Sequence, residues 1–185
     1  MAAVESKMLE LGTIAPKFEL LDTVSDKVVS FDDIKSSKAT VVMFICNHCP
    51  FVININKALS EFGKDYIPKG ISVIAISSND VENYPEDSPE KMKINAETQN
   101  WNFPYLYDKT QEVAKSYHAV CTPDIYLFDG NDKLVYRGQF DDSRPNNGII
   151  PTGKDLRAAI NSLLNGTEIS NNQIPSIGCN IKWKS

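Results

Sequence analysis

The sequence lacks an apolar run long enough to span a membrane, and it lacks a cluster of basic residues. A membrane-spanning helix needs about 20 consecutive, mostly apolar residues, and no stretch of this chain approaches that length. The 19 Lys and Arg are scattered among 24 Asp and Glu, and the net charge is −5. Nucleic-acid-binding surfaces concentrate Lys and Arg on one face. We therefore expect neither a membrane nor a nucleic acid as a partner.

Cysteine is also scarce, with four residues, and histidine is scarcer, with two. A structural zinc site is usually built from two pairs of ligands, and the chain offers one C-x-x-C pair, Cys46 and Cys49. Residues 1–12 carry three charged side chains and lack the apolar core of a signal peptide. We expect a cytoplasmic protein with no cofactor and no bound metal. In that compartment cysteines are thiols or catalytic groups, not a permanent disulfide framework.

What the chain does have is a strand-length apolar run at residues 40–45, which ends at the sequence Cys-Asn-His-Cys-Pro. Its β-branched and large apolar residues do not alternate with polar ones, which predicts a strand buried on both faces. Phe51, Ile55, Leu59 and Phe62 then recur at helical spacing, and a second apolar run follows at 71–76. This order predicts a parallel strand–helix–strand unit at the centre of one domain over residues 1–185.

The remaining elements extend this unit into a mixed α/β sheet. We expect two short strands at 16–21 and 28–30, a helix at 88–100, an edge strand or extended segment at 101–107, and a short helix at 110–117. An antiparallel hairpin is predicted at 125–128 and 134–136, followed by a helix at 155–164. The tail at 167–185 retains apolar residues, so we expect it to pack on the domain.

Cys46 and Cys49 fall where the central strand gives way to the helix. Free backbone N–H groups and the helix dipole at such a junction lower the pKa of a thiol. We expect Cys46 to be the accessible, low-pKa nucleophile and the more buried Cys49 to close a disulfide with it. His48, between them, is expected to stabilise the Cys46 thiolate. Two other interpretations stay open, a pair of inert buried thiols and a copper or zinc site.

A strand–helix–strand unit with C-x-x-C after its first strand, and Thr122-Pro123 before an antiparallel hairpin, resembles the thioredoxin fold. The resemblance implies that the Thr122–Pro123 bond is cis and that it faces Cys46 and Cys49. It also implies a mixed central sheet flanked by helices. This chain would add N-terminal strands, a helical insertion and a packed C-terminal tail.

The opening segment Gly12–Leu20 and the insertion at Asn79–Trp101 resemble the alkyl hydroperoxide reductase and thiol-specific antioxidant family. Four further segments, Cys46–Val52, Cys121–Asp124, Asp141–Pro145 and Ser176–Lys184, resemble more closely a peroxiredoxin-like bacterial subgroup of that family. This match covers nearly the whole chain.

The resemblance implies one of two thiol chemistries. Typical peroxiredoxins have Pro-x-x-x-Thr/Ser-x-x-Cys, where the last residue attacks the peroxide; here Cys49 takes that place, Cys46 replaces the hydroxyl residue and Val42 replaces the proline. The arginine that the family sets against its thiolate is replaced by Thr122. We therefore favour thiol–disulfide exchange by Cys46 and Cys49, with a peroxidase in which Cys49 is peroxidatic and Cys46 resolving as the alternative.

Either chemistry implies a protein or small-molecule disulfide, or a peroxide, as substrate, together with a thiol reductant. A third alternative is a copper carrier that binds the metal through Cys46, Cys49 and His118, because carriers with this fold have a similar His-Cys-Pro cluster. The roles of Cys121 and Cys179 stay open. Cys121 lies close to the expected cis-proline, and Cys179 can reach the site only if the tail folds back over it.

Overall fold

The computed structural model of the chain describes residues 3–185, which form a seven-stranded mixed sheet, a smaller three-stranded sheet and five helices. The order of the large sheet is β3-β2-β6-β5-β4-β8-β9 and that of the small sheet is β1-β10-β7. The strands are β1 (Ala3–Glu5), β2 (Glu19–Asp22), β3 (Lys27–Ser30), β4 (Ala39–Phe44), β5 (Ile71–Ser77), β6 (Tyr105–Tyr107), β7 (Cys121–Thr122), β8 (Asp124–Asp129), β9 (Leu134–Arg137) and β10 (Ile177–Asn180). The helices are α1 (Phe31–Ile34), α2 (Pro50–Tyr66), α3 (Pro89–Thr98), α4 (Glu112–Ser116) and α5 (Lys154–Leu164).

Strand β4 lies in the interior of the large sheet, as its continuous apolar sequence predicts. All six of its residues are buried, and it pairs in parallel with β5 and antiparallel with β8. Val41 and Met43 face the apolar cluster that contains α2 and α5, while Val42 and Phe44 face the cluster that contains α1 and α4. Both faces are therefore covered, and the expectation of a mixed sheet flanked by helices is confirmed.

The segment 101–107 differs from the sequence-based expectation of an edge strand. Strand β6 lies between β2 and β5, and the edges of the large sheet are β3 and β9. Pro104 is compatible with this interior position because it precedes the strand, where its carbonyl accepts a hydrogen bond from the Ala75 N–H at 3.1 Å. The buried side chain of Asp22 accepts a hydrogen bond from the Tyr105 N–H, so the start of β6 has a partner.

The tail folds back onto the domain, and it does so as a strand. Strand β10 lies between β1 and β7 in the small sheet, with Cys179 opposite Thr122 in the register. The backbone continues the attachment on both sides, because the Ser6 N–H donates to Ser176 O and the Ile181 N–H donates to Val120 O. The expected packing of the tail is confirmed, and its position brings the end of the chain to Thr122–Pro123.

A buried ion pair lies directly behind this segment. The Arg137 guanidinium donates to Asp124 Oδ2 at 3.2 Å and to His118 O at 3.1 Å, and it stacks over the Tyr126 ring at 4.4 Å. Burial raises the pKa of Asp124 to about 6, although the positive charge of Arg137 opposes that shift. Arg137 therefore pairs with a residue of β8, the strand that follows Pro123.

None of the helices within residues 3–185 is long and apolar enough to cross a membrane.

Candidate active site

The two cysteines of the C-x-x-C lie at the junction of β4 and α2, as expected. Pro50 is the first residue of α2 and Cys49 is its N-cap, with no side-chain capping hydrogen bond. Cys46 is 1 % exposed and Cys49 is 0 % exposed. The prediction that Cys46 is accessible is therefore wrong, since both cysteines are buried although Asn47, His48 and Pro50 beside them are partly or fully exposed.

Thr122 and Pro123 face the two sulfurs, and the peptide bond between them is cis, as the resemblance implies. The Thr122 hydroxyl lies 3.4 Å from Cys46 Sγ, and the Thr122 carbonyl oxygen accepts a hydrogen bond from the Cys49 thiol at 3.1 Å. One residue thus contacts both sulfurs. The sequence-predicted residues Cys46, Cys49, Thr122 and Pro123 come together in one site.

The two thiols interact, and their pKa values move in opposite directions. The side-chain hydrogen bond with Cys46, followed by those with Cys179 and Thr122, lowers the pKa of Cys49 to about 5 against the cost of burial. The pKa of Cys46 rises well above its ordinary value because of the same hydrogen bond with Cys49, burial and the negative charge of Asp87. These shifts favour ionisation of Cys49 before Cys46, the reverse of the order expected from the sequence, and an ionised Cys49 no longer donates to Thr122 O.

The reversal has two structural causes. The helix begins at Pro50, so Cys46 lies three residues before the N-cap and outside the reach of the helix dipole. A negative charge on Cys46 would also face a carboxylate, because Asp87 lies close to its sulfur. No carboxylate is among the main causes of the Cys49 pKa shift, in which interactions with Cys46 and Cys179 lower the pKa. Environment, not order in the motif, decides which sulfur ionises.

His48 pairs with Asp87, which the sequence analysis did not identify. His48 Nδ1 lies 2.7 Å from Asp87 Oδ2, at an angle that does not make a directed ring hydrogen bond. The His48 ring stacks on Tyr84, with 5.6 Å between ring centres. We expected His48 to stabilise a Cys46 thiolate directly. Instead, His48 lies in ion-pair geometry with Asp87, the carboxylate that faces Cys46.

Asp87 is fully buried and well held. Its carboxylate accepts hydrogen bonds from the Asn47 N–H at 2.8 Å and from Asn79 Nδ2 at 2.7 Å. It ends a short 3₁₀ turn, Pro85–Asp87, just before Ser88 caps α3. The sequence showed this stretch only as a polar loop, and no local pattern distinguishes one buried carboxylate among its exposed neighbours.

Cys179 comes to the site from the tail, and Cys121 comes from β7. Cys179 is buried, and its side chain interacts with that of Cys49. Burial and this interaction raise the pKa of Cys179 to about 12. The Cys121 thiol donates to Pro123 O at 3.6 Å, and burial raises its pKa too. All four cysteines are free thiols.

Within residues 3–185, one cluster of at least three Cys, His, Asp or Glu residues has metal-ligand spacing. It consists of Cys46, His48 and Asp87, whose donor atoms lie within 4.8 Å of one another. Asp87 already has two protein hydrogen-bond donors. His118 does not belong to the cluster; it is exposed and lines a shallow concavity with Trp183. The copper-carrier set of Cys46, Cys49 and His118 is therefore not assembled.

Two further cavities border the tail. A small one of about 20 Å³ lies beside Pro123 and is lined by Phe51, Arg144 and Ile177, among others. A larger one of about 300 Å³ lies between α5 and residues 168–174. Neither has a cysteine in its wall, and the small one is linked to the C-x-x-C through Pro123.

A mixed sheet with a C-x-x-C at the start of its main helix, opposite a cis-proline, defines a thioredoxin-like protein. The AhpC/TSA family matches residues 11–137. The chain belongs to this family, which places it among thiol-based oxidoreductases. The comparison with curated proteins gave no match.

Solved structures share the fold of this chain. An uncharacterised conserved protein from Geobacillus kaustophilus is 59% identical with a TM-score of 0.97, covering 100% of this chain and 97% of that one. A hypothetical protein from Sinorhizobium meliloti 1021 is 46% identical with a TM-score of 0.95, and 98% of each chain is covered. The thioredoxin domain of a thiol-disulfide oxidoreductase from Bacteroides vulgatus has a TM-score of 0.62 at 21% identity, covering 81% of this chain and 97% of that one, and so shares the fold.

Proposed function

We propose that this protein is a thiol–disulfide oxidoreductase whose reacting groups are the Cys46 and Cys49 thiols. The observation that carries the proposal is that Thr122, next to a cis-proline, contacts both sulfurs, with its hydroxyl 3.4 Å from Cys46 Sγ and its carbonyl oxygen 3.1 Å from Cys49 Sγ. The pKa shifts favour Cys49 as the thiolate and Cys46 as the thiol. This is the reduced half of a dithiol/disulfide couple, because the thiolate attacks and the adjacent thiol closes the ring. Thr122 and Pro123 position the two sulfurs.

The proposed cycle transfers two electrons from the protein to a disulfide substrate. The Cys49 thiolate attacks one sulfur of the substrate disulfide, forms a mixed disulfide and releases the first thiolate. Cys46 then loses its proton and attacks the Cys49 sulfur, so that the second substrate thiolate leaves and a Cys46–Cys49 disulfide forms. An external thiol reductant restores the dithiol. Each step is a thiol–disulfide exchange and needs no other cofactor.

In this scheme Asp87, paired with His48, decides which thiol attacks. Its negative charge disfavours a Cys46 thiolate, so Cys46 stays protonated until Cys49 has reacted. In a Cys49→Ser background, Asp87→Asn should lower the pH midpoint for alkylation of Cys46, because that charge is removed. The midpoint is measured by mass mapping after brief iodoacetamide pulses.

Glu86→Gln is the matched control, since Glu86 is exposed and lies next to Asp87 in the same turn. It should leave the Cys46 midpoint unchanged. If Asp87→Asn also leaves the midpoint unchanged, Asp87 does not set the order of attack. The Asn47 N–H can still donate to Oδ1 of an asparagine, whereas the Asn79 amide, which donates to Oδ2 of Asp87, loses its acceptor.

A second candidate function is a thiol-dependent peroxidase, and one observation favours it. The thiolate is Cys49, the position that attacks peroxide in the related family motif, and the enclosed sulfurs admit a small oxidant more readily than a protein. Cys49 would take the terminal peroxide oxygen as a sulfenic acid and release an alcohol or water. Attack by Cys46 would then expel water and give the same disulfide. One observation opposes the peroxidase function. Arg137 pairs with Asp124, and it is not among the main groups that shift the pKa of Cys49.

Parallel turnover assays separate the two functions. With dithiothreitol as reductant, wild-type protein should reduce insulin disulfides and oxidised glutathione, and both Cys49→Ser and Cys46→Ser should lose turnover. Cys121→Ser is the matched control and should retain it. Consumption of hydrogen peroxide without reduction of either disulfide would establish the peroxidase instead. Turnover of neither class would reject both.

We also propose the surroundings in which this cycle runs. The substrate is a protein or small-molecule disulfide, and the electron donor is a separate thiol reductant. A cytoplasmic location fits four free cysteines, because cytoplasmic thiol systems keep such groups reduced. Thiol trapping in intact cells measures this: acid quenching and alkylation should recover Cys46 and Cys49 mainly in the reduced form.

A further inference from the structure

The proposed cycle leaves one thiol at the site without a task. Cys179 lies on β10 opposite Thr122, the residue whose carbonyl oxygen is 3.1 Å from Cys49 Sγ. Its side chain interacts with that of Cys49 and is buried in the same apolar cluster as Cys46 and Cys49. The three cysteines therefore lie in one buried cluster around Thr122, which contacts the sulfurs of Cys46 and Cys49 and pairs with Cys179 across the small sheet.

The approach of Cys179 depends on the residue before it. Gly178 packs so closely against the Thr122 carbonyl group that a Cβ atom there would lie 1.9 Å from Thr122 O. Only glycine allows the tail backbone this close to the cis-proline segment. Beyond the strand, the Lys182 N–H donates to Asn79 Oδ1 at 2.8 Å, and Lys182 O accepts from the Asp80 N–H. The tail is thus held where its cysteine meets Cys49.

We propose that Cys179 is a third redox thiol, which exchanges with the Cys46–Cys49 disulfide to form a Cys49–Cys179 disulfide. The inference rests on the proposed function, because it starts from the oxidised Cys46–Cys49 pair. It assigns a reaction to the tail and gives the oxidised protein two disulfide isomers.

The exchange is balanced within the chain. The Cys179 thiol loses its proton, its sulfur attacks Cys49 Sγ, and the Cys46–Cys49 bond breaks so that Cys46 leaves as a thiolate. Cys46 then takes up a proton, which its environment favours because Asp87 disfavours the charged form. One disulfide is broken and one is formed, so no external oxidant or reductant is needed. The rate should rise with pH, since the attacking Cys179 must first ionise.

Cys121 provides the internal comparison. It is equally buried, but its thiol donates to Pro123 O, and its pKa is affected by Cys49 and Cys179 only through charge. We expect no disulfide to Cys121. The exchange would instead join β10 to the start of α2, so that a disulfide within the β4–α2 junction is replaced by one between that junction and the tail.

Trypsin separates these possibilities, because the cysteines fall into three peptides. Cys46 and Cys49 share residues 39–57, Cys121 lies in residues 116–133, and Cys179 lies in residues 158–182. Reduced protein is oxidised with one equivalent of 5,5′-dithiobis(2-nitrobenzoate), quenched with acid and alkylating reagent, and digested without reductant. Wild-type protein should yield both an internal disulfide in 39–57 and a cross-link between 39–57 and 158–182.

A stoichiometric test uses variants that keep only the relevant thiols. In Cys46→Ser/Cys121→Ser protein, one equivalent of the reagent should release two nitrothiobenzoate anions, because Cys179 displaces the second from Cys49. In Cys46→Ser/Cys121→Ser/Cys179→Ser protein, one anion should be released and the other retained as an adduct on Cys49. Retention of the adduct in both proteins, with no cross-link in wild type, would overturn the role of Cys179. Absence of the internal disulfide in wild type would instead reject the proposed function.

Discussion

Replacing Cys49 with serine should abolish disulfide reduction and remove the acidic thiolate of the reduced protein. The expected thiolate has a pKa of about 5, caused first by the hydrogen bond with Cys46. Wild-type ultraviolet thiolate absorbance should therefore titrate near pH 5, and Cys46→Ala should shift that midpoint toward the ordinary thiol range. In Cys49→Ser no titration should occur below pH 8, because burial raises the pKa values of Cys121 and Cys179.

The low pKa of the Cys49 thiol also predicts how the stability of the reduced protein depends on pH. The pKa of Cys49 is lower in the folded chain than in the unfolded chain, where a thiol titrates near its ordinary value of ~8.5. The thiolate's contribution is complete above that value, and it is lost as the pH falls toward 5. The difference in unfolding free energy between the reduced wild type and Cys49→Ser should therefore grow by a few kcal/mol in favour of wild type as the pH rises from about 5 to about 8.5, because each pKa unit corresponds to ~1.4 kcal/mol.

Urea unfolding under reducing conditions at several pH values measures this difference. Cys121→Ser is the control, because its thiol stays protonated through the range and should give a curve parallel to wild type. Parallel curves for wild type and Cys49→Ser, or a titration that survives in Cys49→Ser and is lost in Cys46→Ser, would return the role of nucleophile to Cys46.

Replacing Gly178 with valine should detach the tail from the site. A Cβ atom at this position would lie 1.9 Å from Thr122 O and 3.1 Å from Pro123 N, and both of these are backbone atoms that cannot turn aside. Strand β10 must then separate from β7, which exposes Cys49. We expect iodoacetamide to label Cys49 at least ~10-fold faster at pH 7, and we expect stability to fall by ~1–3 kcal/mol, the usual cost of overpacking.

Asn180→Ala is the matched control in the same strand, because Asn180 is exposed and its side chain bonds only within the tail. Its labelling rate should stay near that of wild type. Far-ultraviolet circular dichroism shows whether the Gly178→Val protein keeps its sheet and helices. A folded Gly178→Val protein with unchanged Cys49 labelling would mean that β10 does not control access.

Local patterns predicted most of the scaffold, because each depends on residues near in sequence. The apolar run at 40–45, the helical spacing after Pro50 and the Ser88 cap all appear in the structure at nearly the predicted positions. The position of the segment 101–107 was less predictable. A proline excludes an interior strand only when it lies within the hydrogen-bonded part of that strand, and Pro104 precedes β6. Its interior position depends on pairing with both β2 and β5, which no window around residue 104 contains.

The site was predictable in membership but not in its electrostatics. The motif and the resemblance brought Cys46, Cys49, Thr122 and Pro123 together correctly. The pKa values of the two thiols depend first on their mutual interaction and on burial, and then on Asp87 and Cys179, which reach the site from a polar loop and from the tail. These are long-range contacts of residues whose own sequence surroundings are unremarkable, so the ionisation order could not be inferred from the C-x-x-C motif alone.

In the proposed cycle, the docked tail strand would act as a size filter on reaction partners. A partner as large as a protein can reach the buried sulfurs only in the fraction of molecules whose β10 is released, and its apparent dissociation constant is the intrinsic value divided by that fraction. If about one molecule in a hundred is open, a protein partner binds about a hundredfold more weakly, while a small oxidant needs a much smaller opening. A partner that displaces β10 from β7 could offset this penalty by supplying its own strand to the vacated edge.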